Sequence, residues 1–382
     1  MTHVEPLHVL RRRTSEKWTA YPEDVLPMFV AEMDFPLAPS IQTALAQAVA
    51  SSDTGYVNPH DNGAADAFAA FAHDRWGWAP SSDSIRYTTD VSVVIVESLR
   101  RLIAPGDGVI VTPPVYPPFF DLIPEAGGVV VEVPLTDDGE SYTLDLAGID
   151  RALAAGARSV LLCNPHNPTG TVHSRESLAE LSRIVERHGA SVVSDEIHAP
   201  LVHRGTDFTP YLTVSEEARA HGIAAESGSK AFNLAGLKTA LFVAGSDRMT
   251  DLLRLLPDEV TFRTGLFGLI ATREGFAAGR DWLDSTVASI EDNFRMLDQQ
   301  LADHLPGARL RRPQATYLAW LDLSALGLGD DPAGWILKNA KVALMSGLAF
   351  GAEGAGYARM NLACAPETIT EAIHRITNAI AS

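Results

Sequence analysis

Short, almost uninterrupted apolar runs alternate with amphipathic stretches through the middle of the chain. Val109-Ile110-Val111-Thr112, Val129-Val130-Val131-Glu132-Val133, Val160-Leu161-Leu162-Cys163, Ser191-Val192-Val193-Ser194 and Leu241-Phe242-Val243-Ala244 show little in–out alternation. Runs of this kind predict strands covered on both faces of a parallel sheet. Between two of them, Ser174 to His188 places Leu178, Leu181, Ile184 and Val185 on one helical face, with Ser174 as N-cap. Strand–helix–strand alternation predicts an open α/β sheet with ligand sites beyond the carboxyl ends of its strands. Asn167 and Asp195 each follow such a strand directly.

From about residue 280 the pattern changes. A long helix is expected from about Asp281 to His304, then a strand at Thr316 to Asp322, a helix near Trp335, and a short strand at Ala358 to Asn361. Pro366-Glu367 opens a final helix, with proline at the first position and an acid in the first turn. These features predict a second, smaller α+β domain. The expected division is a large domain over 45–280 and a small one built from 1–44 and 281–382. No internal repeat or low-complexity segment interrupts the chain.

Composition narrows the partners. The chain has 382 residues, long enough for two domains, and a formal net charge of −18. That balance argues against nucleic acid or an anionic membrane, which both attract basic surfaces. No apolar run reaches the length of a membrane helix, and the segment from Met1, with Arg11 to Arg13, is not that of a signal peptide. Only Cys163 and Cys364 are present, so no disulfide framework is expected and a reducing cytoplasm fits. Cys163 ends an apolar run and reads as a small buried hydrophobe. His198 and His203 lack the cysteine or carboxylate cluster that a metal site needs, so no metal is expected.

Chemistry gathers in ordered pieces. Asn164-Pro165-His166-Asn167-Pro168-Thr169-Gly170 is followed by Ser194-Asp195-Glu196-Ile197-His198, then by Ser227-Gly228-Ser229-Lys230-Ala231-Phe232-Asn233-Leu234-Ala235-Gly236-Leu237. Lys230 is flanked by small residues and precedes an apolar stretch, where its amine loses water and its pKa falls. An ionised Asp195 at the end of a buried strand demands a cationic partner. Further pieces are Lys17-Trp18, Tyr21 to Pro27, Val30-Ala31-Glu32-Met33-Asp34-Phe35, Gly55-Tyr56 and Pro113-Pro114-Val115-Tyr116-Pro117-Pro118-Phe119.

With these pieces in this order, nearly the whole chain resembles a fold-type I enzyme dependent on pyridoxal 5′-phosphate (PLP), of the aspartate aminotransferase superfamily. Within it the chain is similar to the MalY/PatB group of cystathionine β-lyase-like carbon–sulfur lyases. The resemblance implies a mostly parallel seven-stranded sheet in the large domain and a smaller α+β domain. It implies that Lys230 carries the cofactor and serves as the base at Cα, that Asp195 holds the ring nitrogen, and that Tyr116 stacks on the ring. Asn167 then donates to the ring oxygen, with His198 nearby.

Val91 and Ser92, with Ser227 and Ser229, become phosphate donors, and Lys238 stands where many aminotransferases place an arginine. Asp90 falls where the pattern prefers glycine, and Glu32 where the group usually has aspartate. Arg359 matches the arginine that clamps the substrate α-carboxylate, a task suited to its planar fork. Tyr56 matches the tyrosine that reaches the cofactor of the neighbouring subunit, so the resemblance implies a homodimer with shared sites. Gly351, Gly354 and Gly356 lack the strand–helix context of a nucleotide loop.

The expected activity is β-cleavage of L-cystathionine or another L-cysteine S-conjugate to a thiol, pyruvate and ammonia. An aminotransferase needs the same residues, and a regulatory or binding protein can keep the same fold. Both remain open on sequence alone.

Overall fold

The computed structural model describes residues 4–382; the first three residues, which open the N-terminal segment read above, lie outside it. Seven strands form the central sheet: β1 (Ile85–Thr88), β2 (Gly108–Val111), β3 (Val129–Glu132), β4 (Ala157–Cys163), β5 (Ser191–Asp195), β6 (Gly222–Glu226) and β7 (Ala240–Ala244). Their order is β1-β7-β6-β5-β4-β2-β3, and only β7 runs antiparallel to its neighbours. The inner strands β5, β6 and β7 are buried along their whole length, as continuous apolar runs demand. One expectation is corrected here: β3 is the sheet edge and is partly or fully exposed along its length, rather than covered on both faces. An apolar run does not distinguish an edge from a centre when one side has no neighbouring strand.

Helices cover the sheet. α1 (Gly63–Trp76) packs with α4 (Leu266–Ala278), and α2 (Val91–Leu102) lies over β5, β6 and β7. α3 (Arg175–Arg187) crosses between β4 and β5, and the Ser174 hydroxyl caps it by accepting the Ser177 N–H. α5 (Arg280–His304) then leads to a second, four-stranded sheet. Its strands are β8 (Arg309–Leu310), β9 (Leu318–Asp322), β10 (Met345–Ser346) and β11 (Tyr357–Asn361), in the order β8-β9-β11-β10. The final helix, α6 (Pro366–Ala381), packs on α5. No helix among the described residues is long and apolar enough to cross a membrane.

The N-terminal segment joins the C-terminal part of the chain. Leu26–Pro27 pairs in parallel with Val342–Ala343. Beyond it, residues 29–34 form a strap held from both sides. Asn233 uses both ends of its amide on the Met33 backbone, and Asn361 donates to the Val30 and Glu32 carbonyls. Lys17 Nζ contacts Asp34 Oδ1 at 2.6 Å, with both side chains almost fully buried. Gly170, at φ +70°, lets its loop meet the 313–315 segment; a Cβ there would lie 2.3 Å from Pro313 Cβ.

The Lys17–Asp34 pair generates a test. Burial raises the Asp34 pKa more than the Lys17 charge lowers it. Removing Lys17 leaves a buried carboxylate unpaired, a loss of about 3–5 kcal/mol. Protonation of Asp34 removes that isolated charge, so the loss shrinks as pH falls. Denaturant melts of Lys17→Met at pH 8 and pH 5 should show the larger deficit at pH 8. Equal deficits would contradict an ionised pair.

Candidate active site

Five segments leave the carboxyl ends of parallel strands and meet around a cavity of about 280 Å³. β1 leads to Val91 and Ser92, β2 to Tyr116, β4 to Asn167, β5 to Asp195 and His198, and β6 to Ser229 and Lys230. β7 runs the other way, so Lys238, just before its start, lies at the same edge of the sheet. Arg359 reaches the cavity from β11, and Phe29, Val30 and Ala31 reach it from the strap.

The charged groups here are held apart. Lys230 Nζ donates to the Ala31 carbonyl at 3.0 Å and forms no ion pair with a carboxylate among the described residues. Burial, with help from the Arg359 charge, lowers its pKa to about 8. Asp195 accepts the Ile197 N–H at 3.2 Å and pairs with no cation among the described residues. Burial raises its carboxyl to about 7, against that hydrogen bond and the Lys230 charge. His198 is buried and neutral, its pKa lowered to about 3 by burial and the nearby Lys230 and Arg359 charges. Its Nδ1 has no hydrogen-bond partner among the described residues.

Arg359 is buried and already oriented. Nη1 donates to Asn167 Oδ1 and Nη2 to the Phe29 carbonyl, each at 3.0 Å, and the guanidinium lies 5.0 Å from the Phe350 ring centroid. Its Nε has no partner, and burial lowers its pKa to about 10. Tyr116 is partly buried on the cavity wall, where burial and then the Asp195 charge push its hydroxyl pKa up.

Val91 and Ser92 are the first residues of α2, where N–H groups have no carbonyl one turn back. Asp90 occupies the cap position, but its side chain caps nothing and instead meets Lys238 Nζ at 3.1 Å. Three other residues singled out in the sequence do not line the cavity. Lys238 is occupied by Asp90 and half exposed. The Ser227 hydroxyl donates to the Thr239 carbonyl and accepts the Ser229 N–H. Tyr56 is 93% exposed in this single chain. The ring nitrogens of His203 meet the carbonyls of Pro313 and Thr316, and no metal-binding cluster occurs among the described residues.

Sequence reasoning singled out Val30 to Phe35 but not the contacts its backbone makes, and it missed the far wall. Phe29, Val30, Glu16, Ile95 and Met345 line the cavity. Two strap carbonyls matter more: Ala31 accepts from both Lys230 and the Tyr317 hydroxyl, and Phe29 accepts from Arg359. Backbone acceptors have no side-chain signature, so the sequence offers no direct signal for them.

The donor set fits the cofactor that the resemblance implies. Asp195 lacks a cation, as a partner for a protonated ring nitrogen should; His198 Nδ1 lacks a partner; and the α2 N-terminus offers free N–H groups to an anion.

Comparison with known proteins identifies the family. Residues 23–376 match the family "Aminotransferase class I and II". The chain is 42% identical to a Mycobacterium leprae protein provisionally named a cystathionine β-lyase, over 97% of this chain and 96% of that one. It is 35% identical to the cystathionine β-lyase of Corynebacterium glutamicum, covering 98% and 99%. A solved Corynebacterium diphtheriae structure, provisionally named a PLP-dependent β-cystathionase, superposes with TM-score 0.95 at 33% identity, covering 100% of both chains.

Proposed function

The chain belongs to the class I and II aminotransferases, and from that premise we propose that it is a PLP-dependent carbon–sulfur β-lyase acting on L-cystathionine. The observation that carries the reading is a cavity holding a lowered-pKa amine, an acid without a cation and a preoriented guanidinium: Lys230, Asp195 and Arg359. The relatives' names favour cystathionine as the substrate. In this reading residues 45–280 hold the cofactor, and 1–44 with 281–382 bring the carboxylate clamp.

Lys230 would hold the cofactor through its amine, and the same amine would remove the Cα proton of the substrate. Asp195 keeps the ring nitrogen protonated, and that partner offsets the burial of its charge. Asn167 and His198 would meet the ring oxygen, and Tyr116 would pack on the ring face. Val91, Ser92 and Ser229 hold the phosphate, with Ser227 orienting the Ser229 N–H and Lys238 adding positive charge at the edge. Arg359 holds the substrate α-carboxylate.

When bound, PLP supplies an electron sink for the charge left at Cα. Loss of the β-thiolate and addition of one water then convert cystathionine to homocysteine, pyruvate and ammonia. A cytoplasmic homodimer completes the reading. The 93% exposure of Tyr56 supports a role for it in the partner's site rather than its own.

Two tests follow from this assignment. Purified holoenzyme given cystathionine and no keto acid should release thiol and pyruvate in equal amounts. Amino-acid consumption that begins only after a keto acid is added would instead indicate transamination.

Arg359→Lys keeps the charge but loses the planar fork, and a charge-assisted hydrogen bond is worth about 1.5–3 kcal/mol. The expected loss in kcat/KM is about 10- to 150-fold, with the cofactor absorbance retained. Lys238→Ala should weaken PLP retention more than substrate capture. PLP titration of each variant, then kinetics at saturating cofactor, reads both; the reverse pattern would exchange the two roles.

A further inference from the structure

Behind Asp195 lies a feature that the mechanism above does not use. Glu196, the next residue, and Glu226, the last residue of β6, are both 0% exposed. Glu196 Oε1 accepts the Ser194 hydroxyl and the Tyr211 N–H, each at 2.8 Å. Its Oε2 and both oxygens of Glu226 have no other partner among the described residues, and the two carboxyl groups lie within hydrogen-bonding reach of each other. Glu226 stands opposite Leu241 on β7, whose side chain carries no donor. The other charge acting on both groups is Asp195, which has the same sign, and no basic side chain forms an ion pair with either among the described residues.

Two buried carboxylates without a cation cannot both stay ionised. We propose that Glu196 and Glu226 hold one proton between them at neutral pH, forming a carboxylic acid–carboxylate hydrogen bond that positions Asp195 relative to Lys230. The proton comes from solvent, and no bond other than O–H is made or broken. Burial and the like charges raise both carboxyls, which agrees with this state.

Position explains what the link achieves. Glu196 sits one residue after the acid assigned to the ring nitrogen, and Glu226 four residues before the lysine. The Glu196 N–H also donates to the Ala225 carbonyl at 3.0 Å. The shared proton thus ties together the ends of β5 and β6 where each chain leaves the sheet for its functional side chain. Glu196 and Glu226 are positioning residues, because neither lines the cavity. Their effect on turnover rests on the lyase reading, whereas their shared proton does not.

Infrared spectra of wild-type protein with ¹³C-labelled glutamate, taken with and without PLP, read the proton directly. At pH 7 a protonated carboxyl stretch should be present in the wild type and absent from Glu226→Gln. Its absence from the wild type overturns the proposal whatever reaction the enzyme performs. Stability supplies a second reading. A proton held in the folded state stabilises it at low pH and is lost as pH rises. Wild-type Tm should therefore fall relative to Glu226→Gln between pH 5 and pH 8, and parallel curves overturn the shared proton.

For positioning, Glu226→Ala should lower kcat at least about tenfold with a smaller change in KM. Glu226→Gln, whose amide can donate to Glu196, should recover most of that loss. Unchanged kcat in Glu226→Ala, or a failure of glutamine to rescue it, removes the positioning role. If Glu226→Ala does not fold, the spectra and melts of Glu226→Gln decide the proposal.

Discussion

The loss of water around the Lys230 amine is the constraint on which the site depends. An exposed lysine stays protonated at neutral pH and is a poor nucleophile. Here burial lowers its pKa to about 8, and the Arg359 guanidinium adds to the effect. That arrangement lasts only if no carboxylate neutralises the ammonium. Elsewhere several surface cations find partners: Arg75 meets Asp284, Arg204 meets Glu291 and Lys238 meets Asp90. Lys230 instead meets a neutral carbonyl, and Asp195 a single N–H. Charges that would cancel on contact are kept apart within one cavity.

The strap enforces this separation. Ala31 and Phe29 present carbonyls to Lys230 and Arg359, so the two cations share one short backbone segment as their acceptor. That segment is fixed by Asn233 from the lysine's own loop, by Asn361 from β11 and by the buried Lys17–Asp34 pair. The lysine loop and the last sheet therefore converge on the N-terminal strap, although some 200 to 330 positions separate them from it in the chain.

Much of this was legible in the residues, for identifiable reasons. The continuous apolar runs at β4, β5 and β7 marked buried strands, and Ser174 marked the start of α3. Gly222–Glu226 was not read as a strand, because alanine and glycine favour strands weakly and it is burial between β5 and β7 that holds it. Ile85–Thr88 escaped because it is short and includes Arg86, whose guanidinium finds the Leu253 carbonyl and Thr261. The carboxylate of Asp90, awkward beside a phosphate when read alone, is met by Lys238, a pairing across 148 positions that composition does not reveal. Side chains with distinctive chemistry announced themselves; backbone acceptors and long-range pairings did not.

The reactivity of Lys230 tests the account most directly. Cofactor-free protein can be labelled with trace amounts of an amine-reactive reagent across a pH series, and each modified lysine followed by peptide mass spectrometry. The account predicts that Lys230 labelling rises with a midpoint near pH 8. A midpoint near pH 10.4, the value of an ordinary exposed lysine, would contradict it.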